Sequence, residues 1–212
     1  MTALPSPLYV ICDAEVCQRA GWTLVDFAAA CIDGGARCLQ VRAKSAPAGW
    51  LLDAATAVVR RAQPAGSLVV VNDRADVARL AGAGGVHVGQ ADLRPDAVRA
   101  VAGPDVVVGL STHSPDQCDA ALGEPVDYVA IGPVFATATK STGYEPVGLE
   151  QIRRAAMRTA GRGLPLVAIG GITLERARSV RDAGVQAVAV ISDLFATGDP
   201  TGRVREYLRA LE

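Results

Sequence analysis

Aromatic residues are scarce in this chain. Phe, Trp and Tyr together make up 4% of its 212 residues, although half of all residues are hydrophobic. Ala, Val, Leu and Gly carry the apolar content instead, which suits closely packed helices against short, fully buried strands. Charge of one sign is also lacking. A formal net charge of −1 sets aside an electrostatic nucleic-acid binder, which needs a basic patch or tail. No apolar run is long enough to cross a bilayer, so no membrane partner is expected. Met1–Pro7 has neither a basic region nor a signal-like apolar stretch, and a cytoplasmic address is the expectation. Histidine occurs only as His87 and His113, without H-x-x-x-H spacing, which argues against zinc. The cysteines, Cys12, Cys17, Cys31, Cys38 and Cys118, are odd in number and form no C-x-x-C pair. They read as reduced core thiols.

What is present is alternation. Short apolar runs at Leu8–Cys12, Cys38–Arg42, Leu68–Val71, Gly85–Val88, Val106–Gly109, Tyr128–Ile131, Leu166–Ile169 and Ala187–Val190 read as strands. Between and after them lie Ala-rich stretches with apolar residues three or four apart, as helices covering a sheet require: Leu24–Asp33, Ala48–Gln63, Asp76–Ala81, Pro95–Val101, Ser114–Ala121, Leu149–Thr159, Leu174–Ala183 and Thr201–Leu211. Eight strands, each followed by a helix, predict an α/β protein of the (β/α)8 TIM-barrel class. An open doubly wound sheet is the alternative, but predicts fewer strands. No linker or composition shift divides residues 1–212, so one domain is expected. Ser114-Pro115 has the form of an N-cap followed by proline at the first helical position. Thr173 is placed to cap the helix after it. Gly34–Gly35, Gly82 and Gly184 fall where helices should stop.

Unusual polar residues stand just after the apolar runs. They are Asn72-Asp73, Gly89-Gln90-Ala91-Asp92, Ser111-Thr112-His113, Thr137-Ala138-Thr139-Lys140, Gly170-Gly171 and Ser192. In a (β/α)8 barrel these positions converge on one mouth, where catalytic groups collect. Loops are polar in any protein, which accounts for Ser and Gly but poorly for repeated N-D, Q-x-D and T-x-T-K. In the second strand, Gln40-Val41-Arg42-Ala43-Lys44 puts Gln, Arg and Lys on one face and Val41 on the other. Inward cations are costly without a partner. A diphosphate would supply one, and so would ion pairing to Asp73 or Asp92. Asp73 and Asp92 are hard oxygen ligands suited to Mg2+; read singly, they are a helix cap and a loop solvator. Gly170-Gly171 before a helix is either a tight turn or a cradle of backbone N–H groups for phosphate, which Ser192 would complete. His87 reads as a hydrogen-bonded barrel residue; His113 fits either the mouth or a helix cap.

In order along the chain, Gln40–Lys44, Val71-Asn72-Asp73, His87-Val88-Gly89-Gln90 with Asp92, Gly109–His113, Gly132-Pro133-Val134-Phe135 leading to Thr137–Lys140, Ala168–Ile172 and Val190-Ile191-Ser192 resemble the thiamine-phosphate synthase family. The resemblance implies a transferase joining a pyrimidine methyl diphosphate to a thiazole ethyl phosphate, with release of pyrophosphate. It implies that the Gln40–Lys44 run, Val41 and Ala43 included, holds the pyrimidine diphosphate with Asn72, Ser111 and Lys140. Arg42, Lys44 and Lys140 are the catalytic candidates. Asp73 and Asp92 would hold Mg2+, and Thr137, Ala138, Thr139, Gly171, Ile191 and Ser192 would line the thiazole phosphate site. The family mechanism is dissociative, which agrees with a site richer in cations than in general bases. Family members commonly have Ser at the position of Ala138, so one phosphate contact is in question, as is the direction of Asp193. A homodimer is a family-level expectation only. A metal-independent thiazole tautomerase of the same fold would lack the carboxylate pair, and a non-catalytic phosphate-ligand sensor would bind without turnover.

Overall fold

The computed structural model describes residues 4–137 and 143–212. Eight parallel strands close into a barrel in chain order: β1 (Leu8–Asp13), β2 (Cys38–Arg42), β3 (Leu68–Asn72), β4 (Gly85–Val88), β5 (Val107–Thr112), β6 (Tyr128–Ile131), β7 (Leu166–Ile169) and β8 (Ala187–Val190). β8 pairs back onto β1 through Leu8, Tyr9 and Val10. The expected (β/α)8 architecture is therefore the one observed. The helices are α1 (Ala14–Arg19), α2 (Leu24–Asp33), α3 (Ala48–Ala62), α4 (Ala75–Ala81), α5 (Pro95–Ala102), α6 (Pro115–Ala121), α7 (Gly148–Ala160), α8 (Leu174–Arg181) and α9 (Pro200–Leu211), with single 3-10 turns at Gln63–Ala65 and Ser192–Phe195. Among the described residues no helix is long and apolar enough to cross a membrane.

The strand alternation divides the apolar residues into two cores. Leu8, Val10, Leu39, Val41, Val69, Val71, Val86 and Val88 face the helices, whereas Tyr9, Ile11, Cys38, Val70, Tyr128, Ala130, Val167 and Ala189 fill the barrel. All five cysteines are buried and free, as their apolar settings predict. Tyr128 occupies space that Gly109 leaves open: a Cβ at Gly109 would lie 2.0 Å from Tyr128 Cζ. The two residues pair in register across β5 and β6, so glycine here is a packing requirement.

Local signals mostly hold, with three corrections. The Ser114 hydroxyl caps α6 by accepting from Gln117 N at 3.2 Å, and Gly82 ends α4 at φ 69°. Thr173 stands at the N-cap of α8 but makes no side-chain cap bond. Ser111 and Thr112 do not follow β5 but belong to it; their hydroxyls are satisfied by His87 and by the Ala130 carbonyl, which lets polar residues continue a buried strand. Helix α1 was not expected. Asp13 starts it, accepting from Val16 N at 3.2 Å.

Candidate active site

Every strand of a parallel barrel delivers its C-terminal end to the same face, and two regions form there. The first lies over β1 to β4. Asp13 and Arg42 are side by side in the β1–β2 register and form a partly buried ion pair, Arg42 Nη1 to Asp13 Oδ2. Beyond the strand end, Lys44 Nζ lies 3.1 Å from Asp73 Oδ2. The cations of the Gln-x-Arg-x-Lys run are thus paired to Asp13 and Asp73, and of the two carboxylates anticipated as partners only Asp73 takes one. Asp13 was not anticipated. It stands alone after an apolar run, and its partner is 29 residues away.

Asp73 has φ 63°, the one positive φ at a non-glycine residue among the described residues. Left-handed backbone is uncommon at non-glycine residues, and Asp and Asn adopt it more readily than other side chains. It is not the cap of α4, which begins after Arg74. Burial pushes the Asp73 carboxyl up, Lys44 opposes this, and the neighbouring Asp92 carboxylate adds to it. Two carboxylates therefore face each other beside a cation. Asp92 Oδ2 also accepts from Gly89 N at 2.8 Å, which fixes the loop after β4.

Among the described residues no group of three or more His, Cys, Asp or Glu is placed to hold a metal. A dedicated all-protein cage is thereby missing from them, but Mg2+ commonly takes only one or two carboxylates and completes its octahedron with water and phosphate oxygens. A carboxylate pair that already attracts an ammonium group fits that donor set.

The second region is a cavity of about 510 Å3 over β5 to β8, lined by Ser111, His113, Thr137, Gly170, Gly171, Arg176, Ile191 and Ser192 among others. Gly171 has φ 66°, and a Cβ there would lie 2.7 Å from Ala136 O. The glycine is required both by its backbone and by the crossing of the loop after β6. Ser192 opens the 3-10 turn after β8, the place where barrels commonly build a phosphate site. Asp193 lines the same cavity, but its Oδ2 is engaged within the protein, taking Arg203 Nη2 at 2.8 Å and the Tyr207 hydroxyl at 2.6 Å. Its charge is therefore neutralised within the protein. Arg176 adds a cation the sequence reading missed. It donates to Gly171 O at 2.9 Å and lies 4.7 Å from the Phe135 ring centroid. Helical periodicity marks it as a surface residue of α8, and only the fold brings it back over Gly171.

Gln40 (4% exposed) and Ser111 face into the barrel, and Asn72 is in register with His87. His87 is buried inside the barrel, as expected, and bonded to Tyr128 and Ser111. His113 lies at the mouth, with Nδ1 2.7 Å from Gly132 O and its ring stacked on Tyr144. Val41 is fully buried on the helix-facing side, so its side chain cannot reach the mouth; Ala43 packs against the same outer core. Ala138, Thr139 and Lys140 lie outside the described residues.

Comparison with known proteins bears on this geometry. Residues 8–194 match the model of the thiamine monophosphate synthase family. The thiamine-phosphate synthase of Koribacter versatilis is 46% identical over 206 residues, covering 96% of this chain and 95% of that protein. The one of Anaeromyxobacter dehalogenans is 43% identical over 187 residues, covering 87% and 82%. The structure of thiamine phosphate pyrophosphorylase from Pyrococcus furiosus superposes with a TM-score of 0.86 at 29% identity, covering 96% of this chain and 94% of that one. A barrel whose mouth carries a carboxylate pair beside cations, together with these relatives over nearly the whole chain, places the protein in the thiamine monophosphate synthase family.

Proposed function

We propose that this chain is a transferase that condenses 4-amino-2-methyl-5-(diphosphooxymethyl)pyrimidine with a thiazole ethyl phosphate, giving thiamine phosphate and pyrophosphate. The observation that carries the reading is the pairing of Arg42 and Lys44 with Asp13 and Asp73 beside Asp92. It holds cations where a diphosphate leaves. In the reaction the methylene C–O bond breaks and pyrophosphate departs with the electron pair. The thiazole nitrogen then forms the new C–N bond.

Arg42 and Lys44, with Lys140, stabilise the departing charge, and such preorganised electrostatics is commonly the largest catalytic contribution. Asp73 and Asp92 would hold Mg2+, which when bound neutralises phosphate oxygens. Gln40 and Asn72 orient the pyrimidine, with Ser111 at the diphosphate. Thr137, Gly171, Ile191 and Ser192, with Ala138 and Thr139, hold the thiazole phosphate, and Arg176 faces the same cavity. Residues 1–212 act as one barrel domain. Incubating the protein with both substrates and Mg2+ tests the reading: pyrophosphate and thiamine phosphate should appear in equal amounts. Confirmed binding of both substrates without product would favour a sensor instead.

A further inference from the structure

Five polar side chains form one continuous hydrogen-bonded chain inside the barrel. Gln40 Nε2 donates to the Tyr9 hydroxyl at 3.0 Å, and the Tyr9 and Tyr128 hydroxyls are 2.9 Å apart. Tyr128 then meets His87 Nδ1 at 2.8 Å, and His87 Nε2 meets Ser111 Oγ at 2.7 Å. Tyr9 and Tyr128 are almost completely buried, and burial raises the pKa of each phenol, so each keeps its single proton. Proton counting then sets the direction. With Gln40 donating to Tyr9, the Tyr9 proton goes to Tyr128 and the Tyr128 proton to Nδ1. The neutral imidazole carries its own proton on Nε2 and gives it to Ser111 Oγ. The Ser111 proton is left for a ligand, and with its amide nitrogen engaged Gln40 has its carbonyl oxygen left as an acceptor. Turning over the Gln40 amide would reverse all four bonds and change the His87 tautomer.

The two ends of this chain are residues placed at the pyrimidine diphosphate, whereas its three middle members contact no substrate in the proposed reaction. The fold nevertheless holds them closely. The Tyr128 ring fills the space over Gly109, stacks with His87 at 5.5 Å between centroids and meets Tyr9 edge-on at 6.0 Å. We propose that Tyr9, Tyr128 and His87 are positioning residues that lock Gln40 as an acceptor and Ser111 as a donor, so that a phosphate accepting from Ser111 commits Gln40 to a ring amino group. Selection for an aminopyrimidine and recognition of its diphosphate are thereby coupled. This rests on the transferase reading above.

The test uses nitrogen NMR of the histidines in the whole protein at pH 8, with the two resonances assigned by a His113→Gln variant. His87 should be the neutral Nε2–H tautomer, and Tyr128→Phe should convert it to a mixture. The Nδ1–H tautomer in the unaltered protein would overturn the proposal whether or not the protein turns over. In steady-state kinetics Tyr128→Phe should raise KM for the pyrimidine diphosphate about tenfold and leave KM for the thiazole phosphate within twofold. An unchanged KM, or an equal rise in both, would overturn it as well. Tyr9→Phe breaks the next link and should give the same split, which keeps the test available if Tyr128→Phe does not fold. Absence of product from the unaltered protein would count against the transferase reading alone, since the tautomer decides the direction of the chain independently.

Discussion

Lys44 Nζ sits 3.1 Å from Asp73 Oδ2, with the Asp92 carboxylate close enough to push the Asp73 carboxyl up. The ammonium group stands where a metal ion between the two acids would also be attracted. Asp73 is thus held in a setting unfavourable to its own charge. Its pKa is raised on folding, so the folded state binds this proton more tightly than the unfolded one. Stability from this group is therefore lost as pH rises through the raised pKa. A neutral isostere removes that cost and tolerates the positive φ. Asp73→Asn should raise Tm in EDTA by about 2 °C while lowering Mg2+-dependent turnover a hundredfold or more. Asp92→Ala should likewise damage turnover more than folding; calorimetry and a pyrophosphate assay on both variants check this.

The Asp13–Arg42 pair has a different consequence. Asp13 is 4% exposed, and Asp13→Asn keeps an oxygen for the α1 cap while leaving Arg42 without its counter-charge. Arg42 is partly exposed, so breaking the pair costs about 2 kcal/mol, less than for a fully buried one. Urea denaturation should show a loss of that size, accompanied by a raised KM for the pyrimidine diphosphate.

Asp193 is a structural acid. Its carboxylate is spent on Arg203 and Tyr207, so Tyr207→Phe should cost about 1–2 kcal/mol of stability and leave KM for the thiazole phosphate within twofold. Gly171→Ala should do the reverse in kinetics. The added Cβ meets Ala136 O and Phe135 at under 3 Å, so the loop must shift, and KM for the thiazole phosphate should rise tenfold or more.

The cysteines are chemically quiet in the folded protein. Burial pushes the Cys17 thiol up to about 12, and burial likewise raises Cys12, Cys31, Cys38 and Cys118. Thiolate is the reactive form. A disulfide reagent at pH 8 should therefore label few or none of the five thiols until denaturant is added, and then all of them.

The strands were legible because fully buried parallel strands read as short apolar runs. β5 was cut short because Ser111 and Thr112 look like loop residues until their partners across the barrel are known. The mouth residues were legible wherever they cluster in the sequence, as in Gln40–Lys44. Asp13, Arg176 and the Tyr9–Tyr128 pair were not. Each acquires its role through a contact made by folding, and the two tyrosine hydroxyls meet across 119 residues. Apolar periodicity records which face a tyrosine takes, but not what its hydroxyl meets.

The central claim, a diphosphate-releasing site that combines cations with a metal-holding carboxylate pair, is tested most directly by metal removal. Pyrophosphate release from the two substrates should fall to background in EDTA and return when Mg2+ is added in excess. Turnover that persists unchanged in EDTA would contradict the account.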